Sequence, residues 1–215
     1  MILLLAAISV LASLATQLLV PALPQLANDL RSSTGDAQLV IGLFLFGLGV
    51  GQLFAGPLSD RAGRKPVLLA GMALYCFASA AAAFAAAMPW LLAARFLQAL
   101  GGSAGVVSAR VLVADLFPPE EATARQATLM AVVLVSPMLA PVIGGFLVEL
   151  AGWRMVFASL ACAGVLVGLL ALRNLPSRPS AVGGERRSIA AAWRALATNR
   201  RFLGPSVAMA GGSAA

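Results

Sequence analysis

The chain has 215 residues, 60% of them apolar and only 11% charged, with 21 glycines, no histidine and a mean hydropathy of +0.93. That excludes an ordinary soluble domain, whose apolar share is about half, and makes this an integral membrane protein. The formal charge of +7 points to anionic lipid headgroups rather than to nucleic acid, because the basic residues cluster between apolar runs.

A spanning helix needs about 20 apolar residues, and six runs come close enough to qualify. The first, residues 2–20, is ended by Pro21 and Pro24. It has no positive charge ahead of it and no clear small-residue cleavage site, so it reads as a span rather than a signal peptide and leaves room for a start further upstream. The others are residues 37–57, 67–88, 90–113, 129–150 and 155–172, and a seventh begins near Phe202 and reaches Ala215. These runs are far longer than the roughly ten alternating residues of a barrel strand. The expected fold is therefore an all-α membrane protein. A six-helix transmembrane bundle occupies residues 1–173, built as two three-helix units of opposite topology. A linker follows at residues 174–201, then the start of the seventh span at 202–215.

Orientation follows from the basic residues. The connections after the first, third and fifth runs hold Arg31, no basic residue and Arg154. Those after the second, fourth and sixth hold Arg61, Arg64, Lys65, Arg125, Arg173 and six more arginines up to Arg201. The positive-inside rule places the second set, and with it the amino terminus, in the cytoplasm. In the linker, Pro176, Pro179, Gly183 and Gly184 break helix. Ser188 to Phe202 can then form an amphipathic interfacial helix, with Ile189, Trp193 and Leu196 on one face and Arg194, Arg200 and Arg201 towards headgroups.

Cys76 and Cys162 sit inside apolar runs without metal-ligand spacing, so no disulfide, metal or other cofactor is expected. No phosphate-binding loop speaks for an ATP-driven pump, and no nucleophile–base pair or paired buried carboxylates speak for an enzyme.

Three stretches carry chemistry. Residues 56–66 read as a charged tight loop between the second and third runs, with four charges in six positions: Asp60, Arg61, Arg64 and Lys65. Asp60 and Arg64 are four apart, and Gly56 and Gly63 permit close backbone approach and a tight turn. Topological anchoring accounts for the basic residues but not for Asp60 or the glycine spacing. Asp115, at the end of the fourth run, is a candidate ion-pair partner for Arg64 or Arg61. The second stretch is in the fourth run, where Arg95 lies five residues after Trp90, about 8 Å along a helix. A charge at that depth costs about 3 kcal/mol or more, so it either faces a bundle interior or cavity or snorkels to the nearer surface. The third is in the fifth run. Pro137 and Pro141 there remove backbone donors and bend the helix, while Gly144 and Gly145 let another backbone come close. Gly47-Gly51-Ala55 and Gly101-Gly105, small residues spaced by four, read as packing seams.

The pattern Gly56-x-x-x-Asp60-Arg61-x-Gly63-Arg64-Lys65 resembles the loop between the second and third helices of the major facilitator superfamily of secondary transporters. Arg95-Phe96-Leu97-Gln98-Ala99-Leu100-Gly101-Gly102 resembles the helix-four motif of its drug and proton antiporters. Ser136 to Gly145 resembles their antiporter signature, with Ala140 where glycine is common, and Gly152-Trp153-Arg154 matches the turn that frequently follows it. With Pro21-Ala22-Leu23-Pro24, Ala109-Arg110 and Asp115-Leu116-Phe117, nearly the whole chain looks most like the Bcr/CflA drug-resistance subfamily.

That resemblance implies the amino-terminal half of a transporter in a bacterial inner membrane. It would export drugs or other amphipathic or cationic small molecules in exchange for protons, by alternating access around a mid-membrane site. It also implies roles. Asp60 and Arg64 would lock helix ends in the outward-facing state, Arg95 would tune proton transfer, and Gln98 would face the cavity. The helix-five prolines and glycines would shape a kink, and the second and fifth helices would pack on the opposite half. One departure matters: Gln17 stands where the family commonly has an acid, and no carboxylate lies deep in the six runs, so the proton carrier is not identified. The chain is expected to be a fragment that needs a carboxy-terminal half or a second copy. A metabolite or sugar exporter of the same superfamily, and a nontransporting remnant, are the alternatives.

Overall fold

The structure, a computed structural model, describes residues 1–175, and among them every regular element is helical. α1 (Ile2–Gln17) leads through a 3-10 turn (Val20–Ala22) into the short α2 (Leu23–Asp29). Five long helices follow: α3 (Thr34–Ala62), α4 (Arg64–Ala83), α5 (Met88–Leu116), α6 (Pro119–Ala151) and α7 (Trp153–Asn174). Counting α1 with α2 as one, six helices are long and apolar enough to cross a membrane. The expected linker helix and seventh span fall at residues outside those described.

Three of the boundaries that differ from expectation have a clear local reason. Pro21 and Pro24 do not end helical structure. Each sits in the first turn of a new helical piece, where a missing N–H costs nothing. α3 starts before its apolar run because Ser33 and Asp36 form a reciprocal capping box, with Asp36 N–H donating to Ser33 Oγ at 3.0 Å and Ser33 N–H to Asp36 Oδ2 at 3.1 Å. Residues 56–62 are not loop: α3 runs through Pro57 to Ala62, and the turn into α4 is Gly63 alone.

Gly63 has φ 92° and ψ 152°, and Gly152, between α6 and α7, has φ 75° and ψ 178°. Both lie in a region only glycine occupies at little cost. The second-to-third and fifth-to-sixth spans thus turn on the same device. The packing repeats likewise: α1 packs on α6 as α5 packs on α3, and α5 packs on α4 as α1 packs on α7. That is the pattern of two three-helix units related by a pseudo-two-fold axis, the internal repeat of transporter halves.

α5 is the most buried helix and α6 the least. In lipid the apolar surface supplies no drive for helices to associate, so close approach of small residues does the work. Gly101 shows how close: a β-carbon there would stand 2.5 Å from the Tyr75 nitrogen and 2.6 Å from the Gly71 carbonyl oxygen. The expected seam at Gly47, Gly51 and Ala55 is buried, with Gly47 against Phe96 and Ala99 and Gly51 against Ser103. Gly56 departs from expectation, since nothing lies within 4 Å of the position its β-carbon would take.

Candidate functional site

A cavity of about 310 Å³ opens between α1, α3, α5 and α6. On α1 its wall is Ser9, Ser13, Thr16 and Gln17, residues spaced so that they share one face of a helix. Gln52 of α3 and Arg110 of α5 supply the remaining polar groups. Ser13 is tied to α6, its Oγ lying 2.8 Å from Ser136 Oγ. Of the expected pathway residues, only Gln17 lines this cavity. The polar stripe on α1, Gln52 and Arg110 were missed as site residues, although the 4-3-1 spacing of Ser9, Ser13, Thr16 and Gln17 in an apolar run was a readable signal.

Arg95 is fully buried, which removes snorkelling. Its Nη1 donates to the Ala15 carbonyl at 3.0 Å and to Gln98 Oε1 at 2.7 Å, its Nε donates to the Val40 carbonyl at 3.2 Å, and its guanidinium lies 4.1 Å above the Phe44 ring. The Ala15 contact explains how a buried cation manages with no carboxylate beside it. α1 stops at Gln17, the Leu18 and Leu19 N–H groups bond Leu14 and Thr16, and Ala15 is left as an orphan carbonyl at a helix C-terminus. A guanidinium satisfies both that acceptor and the negative end of the helix dipole. Nη2 is buried with no partner among the described residues.

Gln98 does not face the cavity, contrary to expectation. It is fully buried between Arg95 and Ser79, its Nε2 donating to Ser79 Oγ at 2.7 Å. Tyr75 adds a fourth link, its hydroxyl donating to the Leu11 carbonyl at 3.0 Å. This polar cluster binds α4 and α5 to the stretch of α1 that carries the cavity wall, and Arg95 itself does not line the cavity.

A second cluster forms around the Gly63 turn. Arg64 Nη1 bonds the Asp60 carboxylate and lies 2.8 Å from Ser59 Oγ, while Arg64 Nε is 3.4 Å from Asp115 Oδ2. One guanidinium thus joins α3, α4 and α5. Lys65 Nζ donates to the Leu175 carbonyl at 2.6 Å, just past the end of α7, and Arg61 is exposed. Asp115 is 46% exposed, so Asp115→Ala is expected to cost less than about 1 kcal/mol of stability. Membrane insertion should be unchanged and the melting temperature in detergent only slightly lowered; a large drop would mean that the Arg64–Asp115 contact is a main support of this corner.

At the other end of the bundle, Trp153 Nε1 donates to Asp29 Oδ2 at 2.9 Å, Arg154 pairs with the same carboxylate at 3.7 Å, and Trp153 N–H bonds Gln25 Oε1 at 3.1 Å. The Gly152-Trp153-Arg154 turn is therefore the anchor for α2, a partner that no motif in the chain announced.

In α6, Pro137 and Pro141 both lie within one continuous helix. Gly144 makes the close approach expected of it: a β-carbon there would stand 2.3 Å from the Leu18 carbonyl oxygen. Gly145 does not, having open space instead.

The profile of the Major Facilitator Superfamily matches residues 5–215. The chain is 36% identical over 192 residues to multidrug resistance protein D of Escherichia coli, covering 88% of this chain and 48% of that one. It is 30% identical over 175 residues to a bicyclomycin resistance protein homolog of Haemophilus influenzae, covering 81% and 44%. Among solved structures, a bacterial homolog of the human lysosomal transporter Spinster, inward-facing and unoccupied, superposes with a TM-score of 0.72 at 20% identity, over 83% of this chain and 43% of that one. The chain spans about half the length of the curated relatives it matches. An all-helical bundle with six apolar spans, a cavity inside it and this profile match together show that the chain belongs to the Major Facilitator Superfamily of membrane transporters and is related to its drug-resistance efflux proteins.

Proposed function

We propose that residues 1–173 form the amino-terminal bundle of a transporter that exports drugs or other amphipathic small molecules in exchange for protons. The amino terminus lies on the cytoplasmic side of a bacterial inner membrane. The observation that carries this reading is the cavity between α1, α3, α5 and α6, where hydroxyl, amide and guanidinium groups stand beside apolar residues such as Leu45, Leu48 and Val133, the kind of concavity that halves of such a transporter enclose at mid-membrane. A carboxy-terminal half, or a second copy, supplies the opposite wall. Rocking of the halves alternates access, and the cluster of Asp60, Arg64 and Asp115 stiffens the α3–α4–α5 corner against which that motion works. Arg95 tunes proton movement by fixing the end of α1 beside Gln17.

The hydroxyl and amide lining of Ser9, Ser13, Thr16, Gln17 and Gln52 favours a second reading, export of a polar metabolite or sugar. Accumulation of a drug panel and of labelled sugars in cells expressing the protein, with and without a protonophore, separates the readings. Drug levels are expected to fall in expressing cells and to recover with the protonophore. Sugar export alone would support the second reading, and no difference for either class would mean a nontransporting chain.

A further inference from the structure

We propose that Arg110 makes the cavity a subsite for an organic anion, so that substrates bearing a carboxylate, phenolate or sulfonate are held there in preference to cations; this rests on the reading of the cavity as the substrate site. Six polar residues line the cavity: Ser9, Ser13, Thr16, Gln17, Gln52 and Arg110. Five are neutral and one is a cation, and no carboxylate is among them. Arg110 itself is exposed and makes no ion pair among the described residues.

Three carboxylates at this end of the bundle are held by other arginines. Asp60 and Asp115 hold Arg64, and Glu121 holds Arg125 at 3.3 Å. The backbone at Arg110 is held in register, because Gln126 Nε2 of α6 donates to the Arg110 carbonyl at 2.7 Å. A topological anchor would need only to reach headgroups. Arg110 instead projects from a tied backbone into a space whose lining includes the amides of Gln17 and Gln52, groups able to donate a hydrogen bond to an anion. It lies about 22 Å along α5 from Arg95, so the two cations serve separate places. A guanidinium offers a planar fork of donors that matches a carboxylate or sulfonate, and its charge repels a cationic ligand.

The test uses two dyes on one xanthene framework, fluorescein as the anion and rhodamine 6G as the cation. Binding to the protein, expressed from its own reading frame and held in lipid nanodiscs, is followed by fluorescence anisotropy. Fluorescein should bind, Arg110→Gln should weaken it about tenfold, the worth of one charge-assisted contact, and rhodamine 6G should be unaffected or bind more tightly. Arg110→Lys keeps the charge without the fork and should fall between wild type and Arg110→Gln in fluorescein affinity, which a folding defect at this position would not allow. Failure of the wild type to bind fluorescein, or equal weakening of both dyes by Arg110→Gln, would overturn the subsite. If fluorescein binding depends on Arg110 but neither dye leaves cells in a protonophore-sensitive way, the subsite stands and the antiport reading fails.

Discussion

Replacing Arg95 with alanine is expected to abolish protonophore-sensitive export and to lower the stability of the bundle by about 2–4 kcal/mol. The loss follows from what the guanidinium holds. It satisfies the orphan Ala15 carbonyl at the end of α1, reaches the Val40 carbonyl on α3 and bonds Gln98 on its own helix. Alanine strands the Ala15 carbonyl and the Gln98 oxygen in a buried site, and it releases the last turn of α1, where Thr16 and Gln17 line the cavity. Arg95→Lys should recover part of the stability and little of the export, because a single ammonium cannot span Ala15, Val40 and Gln98 with a rigid fork. Thermal unfolding in detergent and export in vesicles measure the two effects. Full proton-driven export by Arg95→Ala would refute the role given to Arg95.

The second large effect is expected at Gly144. The three atoms nearest to a β-carbon there are backbone, the Leu18 carbonyl oxygen at 2.3 Å and the Leu18 Cα and carbonyl carbon at 2.9 Å. No rotamer change relieves that contact, so α6 must move away from the end of α1. Gly144→Ala is expected to cost about 1–3 kcal/mol, as overpacking does, and to slow export by displacing the cavity wall next to Gln17. Gly145→Ala is the control, because its β-carbon enters open space, and it should be nearly silent. Melting temperatures of the two variants in one lipid mixture check the contrast; equal shifts would mean that the α1–α6 contact is not what Gly144 provides.

That pair of glycines shows where the sequence was legible and where it was not. Spans were readable because a continuous apolar run of the right length has few other fates, and Arg64 with Asp115 was readable because both stand at span ends. Gly144 and Gly145 are indistinguishable in a string of letters, and only the face each turns towards α1 tells them apart. Gln98 was misplaced for the same reason: three residues along a helix from Arg95 it could face cavity or core, and the core offered Ser79. The tightness of the Gly63 turn was anticipated but the helicity of residues 56–62 was not, because Pro57 and the charges read as loop. Arg110 was quoted only as part of a family string, since its significance depends on which carboxylates are already engaged.

These placements together describe a bundle whose cavity wall is set by α1, pinned near its end by Arg95 and pressed by α6 at Gly144. Substrate and proton would share that wall. The most direct test is exchange itself: everted vesicles are energised until their interior is acid, and a substrate established by the accumulation assay is added while an entrapped pH dye is followed. The account predicts that the interior becomes more alkaline as substrate enters, and that Arg95→Ala vesicles, energised equally, show no such response. Entry of substrate with the interior pH unchanged would contradict antiport.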